Sequence, residues 1–198
     1  LTTADAQMAT ILGNAAQYPI FSSNDDNAFI VYPGLPYRNP IFNTLYTSTD
    51  QAISETMVDW LTARNDPRIH IYGQPTPESQ GTASLKYVGW QNGREVTSAP
   101  FPKVSLLGTE IAYNENAPLY IMTYDEVEFL KAEHYKRVGN DAAAQAAYED
   151  GIAASMERWG CIDGAKVYPS WGKTDITVST TGVTVDYAAY LAGANVAW

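Results

Sequence analysis

Three acidic residues in the second half of the chain are the first candidates for chemistry. Glu126, Glu128 and Glu133 could supply the carboxylate pair of a glycosidase, which needs two acids facing one cleft at a defined separation. Glu126, however, fits a helix capping box, and Glu133 has Arg137 four residues on as an ion-pair partner. We therefore predict that the chain has no catalytic residues and is not an enzyme.

Metal and cofactor chemistry also lacks a sequence basis. The two histidines, His70 and His134, are far apart, and Cys161 is the single cysteine, so no internal disulfide or cysteine-based zinc site can form. The acidic stretch 24–27 lacks the glycine and the distal glutamate of an EF-hand loop. No G-x-S-x-G, H-E-x-x-H or G-x-G-x-x-G motif occurs. We expect structural histidines, no metal and no cofactor.

Aromatic side chains in polar loops are the remaining functional candidates. A flat ring can stack on the C–H face of a sugar while nearby amides and charged groups bind its hydroxyls. Asn92, Arg94 and Glu95 follow Trp90 closely enough to do this. Tyr72 and Trp171 share the loop context, and the predicted ligand-binding residues are Tyr87, Trp90, Asn92, Arg94 and Tyr113. The alternative, that these rings anchor irregular loops to a helical body, stays open.

Composition narrows the class of partner. The 198 residues are 45% hydrophobic and 17% charged, which is enough apolar content for one ordinary core. The net charge of −10 and the lack of a Lys/Arg cluster argue against nucleic-acid binding. No apolar run approaches the eighteen or so residues of a membrane-spanning helix.

Residues 121–160 are predicted to form two helices joined by a short turn, and this helix pair is the scaffold that supports the loops. Thr123 and Glu126 form a T-x-x-E capping box, which predicts a helix from Tyr124. Gly139 closes this helix in a left-handed conformation, residues 140–141 cap the second, and Gly160 ends it. Apolar residues on both flanks predict packing partners on two sides.

Other elements are shorter. We predict helices over 4–17, 54–64 and 187–191, a strand over 29–32, turns over 22–27 and 33–40, and a small β-hairpin around the STTG turn within 171–185. Ser54 is the expected N-cap of its helix, and Trp60 and Trp159 are expected in the core. Arg68 is expected to pair with a carboxylate. Residues 66–117 are rich in Pro and Gly and are expected to form long ordered loops.

Several separated motifs occur in a fixed order along the chain. Trp60-Leu61 is followed by Asp66-Pro67-Arg68 and then by a turn with Tyr87, Gly89 and Gly93. The longest motif comprises Pro118, Met122, Thr123, Tyr124, Glu126, Phe129, Leu130, Lys131, Ala132, Glu133, Gly151, Ile152, Ser155, Met156, Trp159 and Gly160. In this order the motifs resemble the "L…DPR" step, the "YxG…G" turn and the hallmark string of the SusD/RagB family of outer-membrane nutrient-binding lipoproteins. Asp125 and His134 depart from the hallmark string, and the likeness runs from about Asn39 onward.

The resemblance implies a mainly α fold, with a tetratricopeptide-like helix pair of an α/α superhelix, long irregular loops and a small β-hairpin. We expect a loop-rich ligand-side region over 1–118, the helix pair over 119–160 and a truncated remainder over 161–198, all within a C-terminal fragment of a longer protein. It implies capture of an oligosaccharide, or in some relatives a peptide, on the extracellular face of the outer membrane. The implied partners are a SusC-like TonB-dependent transporter and a lipid anchor outside this chain. The alternative is a helical-repeat scaffold that binds protein and no small molecule.

Overall fold

Helices account for most of the regular structure of the protein. The computed structural model describes residues 2–47, 51–94 and 103–198. Within them the helices are α1 (Thr3–Leu12), α2 (Pro40–Leu45), α3 (Glu55–Ala63), α4 (Ile69–Tyr72), α5 (Thr109–Ala112), α6 (Tyr124–Arg137), α7 (Asp141–Arg158) and α8 (Tyr187–Leu191). The strands are β1 (Ala28–Ile30), β2 (Leu119–Met122), β3 (Lys166–Val167), β4 (Ser170–Trp171), β5 (Thr177–Val178) and β6 (Val183–Thr184). The mainly α class with a tetratricopeptide-like pair is confirmed.

The chain forms two compact units that are not contiguous in sequence. The first combines the chain up to Ile30 with Tyr120–Arg158 and Trp198, and the second combines Val31–Leu119 with Trp159–Ala197. The three-part division at residues 118 and 160 stays a prediction.

The first unit is built on the α6 and α7 pair. The Glu126 carboxylate accepts from the Thr123 N–H at 2.8 Å, so the predicted capping box starts α6 where the sequence indicates. Gly139 adopts a φ of +79°, and the Asn140 side chain accepts from the Ala143 N–H at 3.2 Å. The turn therefore uses the predicted left-handed glycine and side-chain cap.

Polar bonds close the ends of this helix pair. Arg158 at the end of α7 donates to the Asp125 carboxylate at 3.0 Å, and its guanidinium lies 5.0 Å from the Tyr120 ring centre. The Asn24 amide donates to the Ala154 carbonyl at 3.0 Å and to Glu157 at 2.9 Å. Within the acidic stretch, Asn24–Asp26 thus form a short 3₁₀ helix, and the Asn24 side chain bonds it to α7.

The second unit has its apolar core beneath α3 and α4. Its buried members are Ile53, Val58, Leu61 and Ile69. Ser54 caps α3 by accepting from the Met57 N–H at 3.2 Å, as predicted. The expectation for Trp60 is wrong, because 61% of this side chain is exposed. Leu61 and Val58 already fill the core face of α3, and Trp60 projects beside them toward solvent.

The predicted small β-hairpin is confirmed, but at a different turn. β4 and β5 are consecutive antiparallel strands and form a hairpin that ends before the STTG turn. β5 and β6, which flank that turn, do not pair with each other, because β6 pairs with β3. Val167 and Val185 are buried, whereas Val178 and Val183 next to the turn are exposed.

Two helices also differ from the prediction. The first helix ends at Leu12 and is therefore shorter than predicted. A further helix, α2, was not predicted from the sequence and begins at Pro40 after the Asn39 cap.

Candidate functional site

An open groove of about 510 Å³ in the second unit contains one of the predicted ligand-binding residues, Tyr113. Tyr113 lines it at the end of α5, facing a groove that is also lined by Tyr46 at the end of α2. Its polar lining comprises Thr109, Glu110, Asn114, Glu115, Lys173 and Thr174. Two phenol rings beside amide, carboxylate and ammonium groups can contact both the apolar and the hydrogen-bonding parts of a small polar ligand.

One buried asparagine holds α2 against the opposite wall of the groove. The Asn39 Oδ1 accepts from the Ile41 N–H at 2.7 Å, which caps α2, and its amide donates to the Ala117 carbonyl at 2.7 Å. The Asn39 backbone N–H also donates to the Glu115 carbonyl at 2.9 Å. The side chain of Asn39 is almost wholly buried, so these bonds fix the position of α2 firmly.

Polar and charged side chains around the groove contact one another in pairs. Arg38 lies 2.6 Å from the Glu115 carboxylate, and the Asn114 amide donates to Glu110 at 3.2 Å. The Lys173 ammonium lies 6.0 Å from the centre of the Tyr46 ring. Because α2 also stacks Phe42 on the Tyr46 ring at a centroid separation of 4.9 Å, that ring is supported from its own helix.

The phenol of Tyr113 stays protonated near neutral pH. Partial burial raises the pKa of Tyr113 above its ordinary value. Its hydroxyl can therefore both donate and accept a hydrogen bond in the groove. A ligand rich in hydroxyl groups presents both kinds of partner, which matches this capacity.

The second group of predicted residues lies on the loop that follows Tyr87. The Trp90 backbone N–H donates to the Ile53 carbonyl, and the Trp90 carbonyl accepts from the Glu55 N–H, both at 2.8 Å. The Arg94 guanidinium lies 5.9 Å from the Trp90 ring centre, and Arg94 and Asn92 are exposed. The backbone bonds thus fix the main chain at Trp90, and its half-buried indole lies beside exposed polar groups. Glu95 lies outside the described residues.

Tyr87 has a different environment. Its ring packs against the apolar core of the second unit, and its hydroxyl lies 2.8 Å from Nδ1 of His70. Burial raises the pKa of Tyr87 and lowers the pKa of His70 to about 4. These contacts support the loop-anchoring alternative for this one ring. Tyr72 has the same character, because it packs edge-on to Trp159 at 5.5 Å.

The predicted set therefore divides between two features of one unit. Trp90, Asn92 and Arg94 are brought together by their loop, whereas Tyr113 belongs to the groove. Sequence reasoning missed Tyr46 and Lys173, which approach Tyr113 only through α2 and the turn after β4. An N-cap followed by proline at residues 39–40 was the available signal for α2.

Within residues 2–47, 51–94 and 103–198, no three potential metal-binding side chains cluster. No helix in that part of the chain has the length and apolar character needed to cross a bilayer.

A family model described as starch-binding and associating with the outer membrane, SusD-like, matches residues 2–190. A search of the curated proteins found no match. The agreement extends over nearly the whole chain and includes both features described above.

Solved structures of SusD homologues share the fold. One from Bacteroides fragilis is 26% identical with a TM-score of 0.59, and the match covers 73% of this chain and 34% of that one. One from Bacteroides vulgatus is 22% identical with a TM-score of 0.66, covering 92% and 37%. A chitin-binding homologue from Flavobacterium johnsoniae is 24% identical with a TM-score of 0.62, covering 96% and 43%. The chain thus spans between about a third and a half of the length of these structures.

Proposed function

The chain belongs to the SusD-like family, and from that premise we propose that it binds an oligosaccharide and delivers it to a TonB-dependent transporter. Binding takes place on the extracellular face of the outer membrane, to which a lipid anchor attaches the protein. The family description names starch, and one solved homologue is a chitin-binding protein. Both ligands are chains of pyranose rings, so an oligosaccharide is the ligand class we propose here.

The observation that carries this proposal is the groove with Tyr46 and Tyr113. Its volume of about 510 Å³ lies within the range of small-ligand sites. The parts of the two phenol rings that line the groove offer apolar contact, while Glu110, Asn114 and Lys173 offer hydrogen-bond partners of both kinds. Hydrolysis is left to other proteins, in keeping with a binding role for the family.

The loop of Trp90, Asn92 and Arg94 is proposed as a further contact of the same ligand. The main chain at Trp90 is held by two backbone hydrogen bonds, and the indole is half-buried, so little freedom is lost when the ring stacks on a ligand. Tyr87 then acts beneath the loop and holds it through His70.

Isothermal titration against a panel of starch, chitin and other oligosaccharides, with short peptides included, tests the proposal. Tyr113→Ala and Trp90→Ala should each weaken binding of the recognised glycan about tenfold, as expected for loss of a stacking ring. Tyr37→Ala is the matched control, because Tyr37 is an exposed tyrosine that does not line the groove. Unchanged affinity in both test variants would refute the assignment of the site, and cleavage of the glycan would refute the binding role.

Delivery needs its own experiment. The protein should copurify from outer membranes with a SusC-like transporter, and its removal should reduce uptake of the glycan that it binds in titration. If the protein binds the glycan but does not copurify with the transporter, the proposed delivery is contradicted and only the capture of the glycan is supported.

A protein-binding scaffold is the second candidate function, favoured by one observation on α6. Phe129 and Leu130 are 38% and 49% exposed, and Val138 is also exposed. Repeat helix pairs bury such residues against a neighbour. Under this alternative, Leu130→Glu should abolish capture of a protein partner while no glycan binds. Glycan binding by the unaltered protein would reject it.

A further inference from the structure

Trp60 is an exposed aromatic platform on a rigid element of the second unit. It lies on α3, and 61% of its side chain is exposed. The helix itself is fixed by its Ser54 cap and by Val58 and Leu61 in the core. Sites built on such elements hold geometry better than sites on loops. The prediction of a core role for this ring is therefore wrong.

Arg64 fixes the orientation of the indole. Its guanidinium lies 4.0 Å from the Trp60 ring centre, within the range of a close cation–π contact. The guanidinium also donates to the Trp60 carbonyl and to the Asn195 carbonyl, both at 3.2 Å. One face of the indole is thus covered by a side chain that is itself bonded to two backbone groups. The solvent-exposed area of the ring remains for a ligand.

Arg64 links the indole to a second groove, because it contacts the Trp60 ring and also lines that groove. The groove measures about 480 Å³. Its lining includes Thr184, Asp186 and Asn195, which are exposed and offer hydroxyl, carboxylate and amide groups. An aromatic face next to a groove with these groups has the chemistry of a sugar-binding subsite.

The surroundings of Trp60 suit a sugar ring. At helical spacing its neighbours on α3 are Thr56 and Met57 one turn earlier and Arg64 one turn later. They place a hydroxyl, an apolar side chain and a guanidinium around the indole. A pyranose, which is apolar on one face and polar around its edge, matches this mixture.

We propose that Trp60 is the stacking platform of a second saccharide subsite, extending into the groove lined by Arg64, Asn65 and Asp186, with Arg64 as a positioning residue. This inference rests on the proposed function, because it assumes that the chain binds a glycan. It assigns a contact separate from the groove of Tyr46 and Tyr113 and from the Trp90 loop. A longer oligosaccharide should therefore gain affinity at this subsite.

Titration with the glycan recognised by the unaltered protein tests the proposal. Trp60→Ala should weaken binding of the longest oligosaccharide about tenfold, and Arg64→Ala should weaken it by a smaller factor that Arg64→Lys partly restores. Thr62→Ala is the matched control, because Thr62 is also exposed on α3 but lies about half a turn around the helix from Trp60. Binding should change the tryptophan fluorescence of the unaltered protein more than that of Trp60→Phe.

The outcomes are distinguishable. If the unaltered protein binds none of the glycans, the proposed function fails and the subsite fails with it. If it binds and Trp60→Ala binds equally well, only the subsite is overturned. Equal glycan affinity combined with lost transporter copurification in Trp60→Ala also overturns it, and identifies the ring as a protein contact. Lost affinity in Trp60→Ala with an unchanged thermal midpoint supports the subsite.

Discussion

Replacing Asp66 with alanine should destabilise the second unit by a large and calculable amount. The Asp66 carboxylate is 2% exposed, and it accepts from the Arg68 backbone N–H at 3.0 Å, from Arg68 Nε at 2.9 Å and from the Tyr190 hydroxyl at 2.9 Å. Burial alone would lower the pKa of Arg68, but the hydrogen bond and charge of Asp66 raise it overall. Asp66 therefore stabilises a buried positive charge.

The size of the effect follows from this geometry. Breaking a buried ion pair by removing one partner costs about 3–5 kcal/mol. For a chain of this length each kcal/mol shifts the thermal midpoint by about 2–4 °C, so Asp66→Ala should lower it by about 6–20 °C. Tyr190→Phe removes one hydrogen bond and should cost about 1 kcal/mol.

Urea and thermal unfolding followed by tryptophan fluorescence would measure both effects. A double-mutant cycle gives the sharper test, because Tyr190→Phe should cost much less in the Asp66→Ala background, where its acceptor is gone. A loss below about 1 kcal/mol for Asp66→Ala, or simple additivity of the two changes, would refute the reasoning that these groups act as a network.

Three further predictions concern the same unit. Gly108→Ala should cost about 3 kcal/mol or more in denaturant unfolding, because the added Cβ would lie 1.6 Å from the Ile71 carbonyl oxygen. Gly73→Ala, its control, meets nothing closer than 3.4 Å and should change stability by less than about 1 kcal/mol. Burial holds the folded pKa of His70 at about 4, below an unfolded value of about 6.5, so the unfolded state binds more protons between these values. The free energy of unfolding should therefore fall by up to about 3 kcal/mol as pH decreases from 6.5 to 4. His70→Gln should remove this component from the measured dependence of unfolding free energy on pH, and an unchanged dependence in that variant would contradict the prediction. Asn39→Ala should cost about 2 kcal/mol in unfolding and also weaken glycan binding in titration, because α2 then loses its cap; intact affinity would show that α2 does not position the groove.

The helix pair could be predicted from sequence because its signals are local. The cap at Thr123, the left-handed Gly139 and the stop at Gly160 each depend on residues within one turn, and all appear in the structure. The family resemblance added the fold class. Local chemistry of this kind survives tertiary packing almost unchanged.

The strand pairings and the position of Trp60 could not be predicted in the same way. Strands of two residues carry no periodicity, so their partners are decided by which valines become buried. Helix α3 has more apolar residues than its core face buries: Val58 and Leu61 are buried, whereas Trp60, which precedes Leu61, is exposed. The groove was missed for a similar reason, since Tyr46 and Lys173 meet only through distant segments.

The contact between Asp66 and Tyr190 spans 124 positions along the chain, which has a consequence for synthesis on the ribosome. Residues 31–119, which include Asp66, are synthesised first. Another 71 residues must follow before Tyr190, the partner of Asp66, is made. At about 5–20 residues per second, that interval is about 4–14 s. The α6 and α7 pair, whose contacts are local, can fold within the wait. A nascent chain paused before residue 190 should therefore resist protease at α6 and α7 and be cut within residues 31–119.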